Sequence, residues 1–495
     1  MRQIRRMLPL QIVVCFLLFL FFACGKEEEV VTVVEPPQKP VVTVDPVSNL
    51  KAQATLKANE LLVTWDNPEE ASMIHLSWWL ENQDESEAEI TTMHVSGGQQ
   101  SEKTIEVKEY GSYCVGAVVM DSYGNRSEQV VTQATPAEED YPVWETIADS
   151  CTYVLIEQFM DKSKGTFWST PNDVAQGSWN IYWQQAHAMD VVVYSYERIK
   201  DSDPDLAATY ENYFRLWYEN DANNYNNDPN DETGFLNNFT DDMCWICLTL
   251  IHMTEATGDN LYIETAKKVY DEYIITRVWS DENGTGLPWT ATDLGRNACT
   301  NAPGCLIAAK LYQRYGDAKY LEDAKILHTY VMNNLKYDNG AIEEPPLTYT
   351  QGTFGEACRR LYHITGDPSY MRTAEEVIQY AFTSDRCTHE GILRSEGESM
   401  DQSIFKAVLI PYAVNLLLDE ETSSFVRSSL RGLVEKNARA LYQHLDRNRW
   451  PEMYCSYYWG ETFLVGTTAS MGAQTSGASL MEGMARIEKI ERESK

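Results

Sequence analysis

Residues 256–262 read Ala-Thr-Gly-Asp-Asn-Leu-Tyr, and the same order of glycine, aspartate and a following aromatic residue returns twice later in the chain. It returns at residues 314–320, Arg-Tyr-Gly-Asp-Ala-Lys-Tyr, and at residues 364–370, Ile-Thr-Gly-Asp-Pro-Ser-Tyr. The glycine permits a left-handed helix end, and the aspartate caps the start of the next helix. The spacing suits one helical hairpin per repeat. We expect the repeated aspartates to be helix caps: Asp259, Asp317 and Asp367.

Amphipathic segments extend outward from these turns and predict two alternating sets of six helices. The first set is rich in small and aromatic residues, at residues 180–197, 241–255, 297–314, 351–364, 402–418 and 474–490. The second set carries charged runs on one face, at residues 144–160, 205–220, 260–276, 319–335, 369–383 and 424–444. Apolar inner helices and charged outer helices are what a closed barrel requires. The sequence predicts a mainly α fold, an (α/α)6 barrel over residues 138–495, with an open solenoid as the competitor.

A different pattern precedes the helices, because residues 46–137 contain short alternating strands separated by turn sequences. The strands are predicted at residues 61–65, 74–79, 104–107 and 113–119, and they indicate a small all-β sandwich. The Val63-Thr64-Trp65 run and a late turn at residues 121–125 resemble a fibronectin type III domain, which commonly acts as a spacer. Alternation sends Trp78 and Trp79 to opposite faces of their strand, which leaves a sugar-binding role open for one ring.

The first 23 residues are typical of a lipoprotein signal peptide. Arginines precede an apolar run at residues 12–22, which is too short to cross a membrane as a helix. The run ends at Ala23-Cys24, which resembles a bacterial lipobox, and the acidic run that follows resembles the export tag of surface lipoproteins in Bacteroidota. We expect lipid on Cys24, a tether over residues 24–45, and a place at the cell surface or outer membrane. An ordinary cleaved signal peptide is the alternative.

The composition favours a neutral ligand. The chain has 495 residues, with 40 Lys and Arg against 74 Asp and Glu, and a formal net charge of −34. Such a surface repels phosphate backbones, so we expect no nucleic acid partner. The chain lacks the GxGxxG, P-loop, HExxH and GxSxG motifs, which removes the usual support for nucleotide, zinc-protease and α/β-hydrolase chemistry. The isolated pair Cys244 and Cys247 indicates core cysteines. We expect no metal, no cofactor and a monomer.

In a barrel of this kind, the loops that enter the inner helices gather at one mouth. Those segments are rich in Trp, Tyr, Asn, Gln and Asp, which suit a polysaccharide because rings stack on sugars while amides and carboxylates bind hydroxyl groups. The predicted aromatic platforms are Trp183, Trp289, Tyr349 and Phe354, and the predicted hydroxyl ligands are Asn238, Asn297, Gln351 and Asp401. For His187 two interpretations stay open, a substrate-binding residue at the mouth and a hydrogen-bonded packing residue.

Asp241 and Asp242 are the strongest candidates for catalysis. Most glycosidases use two acids, and a retaining site holds them about 5–5.5 Å apart. Neighbouring side chains can meet that separation, because consecutive Cα atoms are about 3.8 Å apart. The helix N-terminus favours an ionised nucleophile, whereas burial and a like charge raise the pKa of its partner. A structural interpretation competes, because Thr240 can cap a helix and acidic residues suit a first turn.

Four segments resemble glycoside hydrolase family 76, at residues 183–190, 237–259, 296–303 and 351–354. The resemblance extends over about residues 145–490. It implies an (α/α)6 barrel and a retaining endo-α-1,6-mannanase that cleaves the backbones of fungal or yeast mannan, with Asp241 as nucleophile and Asp242 as acid/base. One alternative is a non-catalytic glycan-binding lipoprotein at the cell surface. Another is a lyase or unsaturated-uronide hydrolase, although the predicted mouth has no Arg/Lys cluster to receive acidic sugars.

Overall fold

The structure, a computed structural model, describes residues 43–55, 57–137, 143–173, 182–221, 231–343 and 345–493. The described residues form two compact units that divide near residue 140. The predicted signal peptide, the lipidation residue Cys24 and most of the predicted tether lie outside the described residues. Within the part that is described, no helix combines the length and the apolar character needed to cross a membrane.

The first unit is built from antiparallel strands. Seven are described: β1 (Ser48–Ala54), β2 (Glu60–Asp66), β3 (Met73–Leu80), β4 (Glu89–His94), β5 (Gln100–Glu106), β6 (Tyr113–Met120) and β7 (Val130–Ala134). One sheet has the order β1-β2-β5 and the other β4-β3-β6-β7. Inward side chains of both sheets, including Trp65 and Trp78, form one buried cluster. Trp79 is half-buried on the opposite face of β3, as the alternation predicted.

The second unit is helical. Twelve α-helices are described: α1 (Trp144–Phe159), α2 (Tyr182–Ile199), α3 (Pro204–Asp221), α4 (Thr240–Thr257), α5 (Asn260–Val269), α6 (Ala298–Tyr315), α7 (Ala318–Asn334), α8 (Thr348–Thr365), α9 (Pro368–Thr383), α10 (Met400–Leu418), α11 (Ser424–His444) and α12 (Met471–Glu493). The even-numbered helices bury most of their residues, whereas the odd-numbered ones expose charged faces.

The even-numbered helices form a closed ring. Contacts run from α2 to α4, α6, α8, α10 and α12, and α12 contacts α2 again. The odd-numbered helices pack on the outside, α3 against α2, α5 against α4, α7 against α6 and α9 against α8, while α1 and α11 both contact α12. The contact between α12 and α2 excludes the open solenoid. The arrangement is consistent with the predicted (α/α)6 barrel.

The three Gly-Asp turns have the predicted geometry. The glycines that end α4, α6 and α8 have positive φ angles of 81°, 70° and 72°. Each following aspartate accepts a hydrogen bond from the backbone N–H two residues ahead, as Asp317 does from Lys319 at 3.0 Å. The capping role predicted for these aspartates is therefore confirmed.

Helices α8 and α5 differ from their predicted bounds, and α12 begins three residues earlier and ends three residues later than predicted. Helix α8 begins at Thr348, three residues before the predicted start, because Glu396 accepts a 2.8 Å hydrogen bond from the Thr348 N–H and satisfies the helix end from outside. Helix α5 ends at Val269 and continues as a π-helical turn over Tyr270–Ile274, where a single α-helix was predicted. The first difference matters for the site, because it moves Gln351 and Phe354 away from the start of their helix.

Candidate active site

Five of the six ring helices contribute residues near their N-termini to one cleft of about 420 Å³. The lining residues are Tyr182, Trp183, Gln184, Phe239, Asp241, Asp242, Trp245, Trp289, Asn297, Cys299, Tyr349, Asp401 and Phe405. Seven of the thirteen are aromatic, three are aspartates, and none is Arg or Lys. The predicted convergence of inner-helix starts on one mouth is therefore observed.

The start of α4 is held by the loop that precedes α6. The Thr240 N–H donates to the Trp289 carbonyl oxygen at 2.8 Å, and Phe239 and Thr290 form an isolated antiparallel bridge. Arg277 donates to the Asn237 carbonyl oxygen at 2.7 Å and to the Thr240 hydroxyl at 3.1 Å. Thr240 lies inside the helix and does not cap it, contrary to the structural interpretation of the sequence. This scaffold brings the indole of Trp289 to the first turn of α4.

The Asp241 carboxylate is held by two donors from outside its helix. Its Oδ2 accepts hydrogen bonds from Trp289 Nε1 at 3.1 Å and from Cys299 Sγ at 3.4 Å. Burial raises the pKa of Asp241 to about 6, although these two donors and the backbone N–H groups of the first turn oppose the increase. The sequence predicted that the helix end would keep this group ionised. Burial outweighs the helix end, yet a carboxyl with a pKa near 6 remains mostly ionised at neutral pH.

Asp242 lies deeper and is 8% exposed. Its Oδ2 accepts a hydrogen bond from Asn237 Nδ2 at 3.2 Å. Burial raises its pKa well above the ordinary value, and the negative charges of Asp241 and Asp401 raise it further. The two neighbouring acids therefore differ, since Asp241 gives up its proton more readily than Asp242.

The lining rings form two groups of contacting aromatic residues. In one, Trp183 stacks on Phe405 with ring centroids 6.1 Å apart, and Phe405 stacks on Tyr349 at 4.2 Å. In the other, Phe239 and Trp289 meet edge to face at 5.6 Å. Trp183, Trp289 and Tyr349 thus lie where the sequence placed aromatic platforms.

Two of the four predicted hydroxyl ligands also line the cleft. Asp401, in the first turn of α10, accepts a 3.0 Å hydrogen bond from Trp183 Nε1 and a further one from the Gln184 amide. Asn297 caps α6, accepting from the Thr300 N–H at 3.2 Å and from the Thr300 hydroxyl at 2.7 Å. Both side chains line the cleft, and their hydrogen bonds also hold neighbouring residues in position.

Gln351 and Phe354 do not reach the cleft, so both predictions are corrected. Gln351 is fully buried. With its amide oriented to match its neighbours, it donates to the carbonyl oxygens of Gly340 and Val377 and accepts from the Ile342 N–H at 2.7 Å. Phe354 is also fully buried and stacks on His328 at 5.4 Å. Both lie beyond the first turn of α8, which starts earlier than predicted.

Asn238 and His187 are likewise absent from the cleft wall. Asn238 is exposed, and its carbonyl oxygen accepts from Arg277 at 2.8 Å. His187 is 5% exposed behind Trp183 and Trp245, with ring centroids 5.4 and 5.2 Å away. Burial lowers the pKa of His187 to about 4, so the ring is neutral at physiological pH. The burial fits the packing interpretation of His187, but its Nε2 has no hydrogen-bond partner among the described residues.

Several residues that line the cleft or bond to its acids were not named as binding residues from the sequence. Asn237 donates to Asp242, whereas the sequence analysis predicted its neighbour Asn238 as a ligand. A single sequence does not show which of two adjacent asparagines faces the acids. Trp245 follows the acid pair by one helical turn, a spacing that places it on the same face. Cys299 and Phe405 gave no recognisable signal, since a cysteine and a phenylalanine in an inner helix are ordinary core residues.

The cysteines are unpaired in the described structure. Nine are described, and Cys244 and Cys247 are buried inside α4. Within the described residues no cluster of three or more His, Cys, Asp or Glu side chains is arranged to hold a metal ion. The cleft therefore offers carboxylates, a thiol, amides and aromatic rings as its chemical groups.

A family model described as glycosyl hydrolase family 76 matches residues 144–490, the whole helical unit apart from its last residues. The chain belongs to glycosyl hydrolase family 76. No curated protein sequence matches this family 76 chain.

Solved structures share its fold. The α-1,6-mannanase of Salegentibacter sp. HEL1_6 is 24% identical, with a TM-score of 0.61, over 70% of this chain and 99% of that one. An inactive variant of the same enzyme, in which two consecutive aspartates are replaced by asparagine, has been solved with α-1,6-mannotriose. A family 76 glycoside hydrolase from a bovine Bacteroides thetaiotaomicron strain is 18% identical, with a TM-score of 0.56, over 90% of this chain and all of that one.

Proposed function

We propose that this family 76 chain is a retaining endo-α-1,6-mannanase that cleaves the backbone of fungal or yeast mannan, with Asp241 as nucleophile and Asp242 as acid/base. One observation carries the proposal. Two consecutive aspartates lie in one aromatic cleft, and their environments make Asp241 the more readily ionised and Asp242 the more readily protonated. Two carboxyl groups with separated pKa values are the arrangement that glycosidases use.

The reaction follows from those protonation states. In the first step the Asp241 carboxylate attacks the anomeric carbon while Asp242 gives its proton to the leaving glycosidic oxygen, so a mannosyl ester forms and the C–O bond breaks. In the second step the Asp242 carboxylate takes a proton from water, the water oxygen attacks the anomeric carbon, and Asp241 is released. Asn237 stabilises the charged form of Asp242 between the two steps, because it donates to Oδ2.

The cleft wall suits a neutral sugar chain. Trp183, Trp289 and Tyr349 offer flat faces, while Asp401 and Asn297 offer hydrogen-bonding groups beside the acid pair. An anionic uronide would meet three aspartates and no Arg or Lys among the lining residues, which disfavours the lyase or uronide-hydrolase alternative. The mannan assignment itself is supported by the relatives, since the Salegentibacter protein is described as an α-1,6-mannanase and its inactive variant lacks two consecutive aspartates.

The test is product analysis on linear α-1,6-mannan with wild type, Asp241→Asn and Asp242→Asn. We expect the wild type to release oligosaccharides of several lengths, with the α configuration retained when the products are followed by proton NMR. Both folded amide variants should lose activity by about 10³-fold or more, since each lacks a group that bonds or transfers a proton in the transition state. Binding of mannan without any release of reducing ends by the wild type would instead favour the non-catalytic glycan-binding lipoprotein.

The N-terminal part of the proposal concerns location. We propose that Cys24 carries lipid and that residues 24–45 tether the enzyme at the cell surface, which suits an endo-acting enzyme that meets polymers too large to import. The first unit is proposed to be a fibronectin type III-like sandwich that acts as a spacer. Its three-stranded and four-stranded antiparallel sheets, which share one buried cluster, support this proposal.

A further inference from the structure

Cys299 is a polar group of the cleft that the proposed mechanism does not use. It is the second residue of α6 and lines the cleft, whereas seven of the other eight described cysteines are buried. Its Sγ lies 3.4 Å from Asp241 Oδ2, and Trp289 Nε1 lies 3.1 Å from the same oxygen. The other carboxylate oxygen, Oδ1, is shielded from solvent and has no hydrogen-bond partner among the described residues.

The thiol acts as a donor in this contact. Burial raises the pKa of Cys299 well above its ordinary value, and the negative charge of Asp241 raises it further. The sulfur therefore keeps its proton at neutral pH, where Asp241 is mostly ionised. A carboxylate only accepts hydrogen bonds, so the proton must lie between Sγ and Oδ2. The thiol donates to the same oxygen as the indole N–H of Trp289, and both donors favour the ionised carboxylate.

We infer that Cys299 and Trp289 are positioning residues for the nucleophile, which they hold through one oxygen of the Asp241 carboxylate. The two donors approach that oxygen from different segments, the loop before α6 and the first turn of α6 itself. A carboxylate held by two donors at one oxygen cannot rotate freely about its Cβ–Cγ bond. The side chain is thereby fixed in one orientation before substrate arrives, which lowers the entropic part of the barrier. The inference rests on the proposed role of Asp241.

Three variants test the inference, Cys299→Ala, Trp289→Phe and the double variant, with Cys358→Ala as the matched control. Cys358 is a fully buried thiol of α8 outside the cleft wall, so its loss affects packing but not Asp241. Phe keeps a ring in the place of Trp289, which is 38% exposed, so Trp289→Phe remains informative if Cys299→Ala folds poorly. The measurements are kcat and KM on linear α-1,6-mannan from pH 4.5 to 9, with thermal unfolding of each variant.

Loss of a donor removes a group that favours the ionised carboxylate. The acid limb of kcat/KM should therefore move to higher pH by roughly half a unit to one unit in each single variant, and further in the double variant. At pH 7, kcat should fall by about five- to tenfold with little change in KM, because orientation of the nucleophile matters in the transition state. In the Cys358→Ala control, the acid limb of kcat/KM should lie at the same pH as in wild type, even if the unfolding temperature of the variant drops.

An acid limb that stays in place in both Cys299→Ala and Trp289→Phe would overturn the inference, as would a change confined to KM. Asp241→Asn, measured in the same assay, separates this failure from that of the proposed function. If Asp241→Asn is inactive while the limb is unmoved in both single variants, only the positioning role fails. If Asp241→Asn keeps wild-type activity, the assignment of the nucleophile fails first.

Discussion

Replacement of Asp241 by Asn should make the stability of the helical unit less dependent on pH. In the folded protein burial raises the pKa of this carboxyl from 3.8 to about 6. A raised pKa means that the folded state binds the proton more tightly than the unfolded chain does. The stability contributed by that proton is fully present below pH 3.8 and is lost as the pH rises through 6. The ionised carboxylate that catalysis requires thus destabilises the fold at neutral pH.

The size of the effect follows from the shift. Each pKa unit corresponds to about 1.36 kcal/mol, so a shift of about two units costs about 3 kcal/mol of unfolding free energy above pH 6. Because the unfolded carboxyl is already mostly ionised at pH 5, about half of that cost is present there. The remaining half, about 1.4 kcal/mol, develops between pH 5 and pH 8. The free energy of unfolding of Asp241→Asn, taken relative to that of wild type, should therefore rise by about 1.4 kcal/mol from pH 5 to pH 8. Any effect of the amide that does not depend on pH leaves this rise unchanged.

The assay is urea unfolding followed by circular dichroism at 222 nm, which reports on the helical unit because all twelve described α-helices lie there. Measurements at pH 5, 6, 7 and 8 stay above the sequence pI of about 4.6. Asp271→Asn is a control at a carboxyl whose pKa shift has the opposite sign. Burial raises the pKa of Asp271, but hydrogen bonds from Lys267, Lys319 and Tyr320 lower it below its ordinary value. The deficit of Asp271→Asn relative to wild type should stay constant from pH 5 to pH 8, because a carboxyl with a lowered pKa is ionised in both the folded and the unfolded state over this range. A pH-independent difference between Asp241→Asn and wild type would refute the account of the desolvated carboxylate.

The remaining predictions address the pH profile, two buried positions of α8 and the N-terminus. The kcat/KM of the wild type should follow a bell with an acid limb near pH 6 and an alkaline limb from Asp242, measured as apparent values of the coupled pair. Gln351→Ala should lower unfolding free energy by about 1–3 kcal/mol with KM unchanged in steady-state assays, since Gln351 satisfies buried backbone groups outside the cleft. Gly352→Ala should cost about 1–3 kcal/mol in urea unfolding, because a Cβ there would lie 2.7 Å from Leu409 Cα. Cys24→Ala should abolish incorporation of radiolabelled palmitate in the native host, and equal labelling of both proteins would exclude the lipobox.

Local chemistry made much of the fold predictable from the sequence. The Gly-Asp turns need no tertiary information, because a left-handed residue followed by a capping side chain ends one helix and starts the next. Strands β2, β3 and β5 were predictable because their inward apolar positions alternate with other residues, and β6 because it is a short apolar run bounded by turn sequences. Strands β1, β4 and β7 were missed, since they bury few side chains and therefore lack a hydrophobic pattern.

The errors at the site come from distant partners. Glu396 accepts from the Thr348 N–H and moves the start of α8, and nothing within the sequence of α8 signals that contact. A shift of three residues changes which side chains reach the mouth, so Tyr349 lines the cleft while Gln351 and Phe354 join the core. At α6, where Asn297 supplies a local cap, the predicted start lies within one residue of the observed one.

The difference between the two acids shows most clearly what a sequence cannot supply. Because Asp241 and Asp242 are adjacent, their charges must interact, but adjacency does not show which of the two carboxyl groups has the higher pKa. Burial raises the pKa of both groups, and the asymmetry arises from their partners. Trp289 and Cys299 donate to Asp241, whereas the charge of Asp401 acts against ionisation of Asp242. These partners come from the loop before α6, from α6 and from α10, and only the closed ring of helices brings them to the first turn of α4. If the division of roles depends on those partners, substitutions of Trp289, Cys299 and Asp401 must alter the pH profile while both aspartates remain intact.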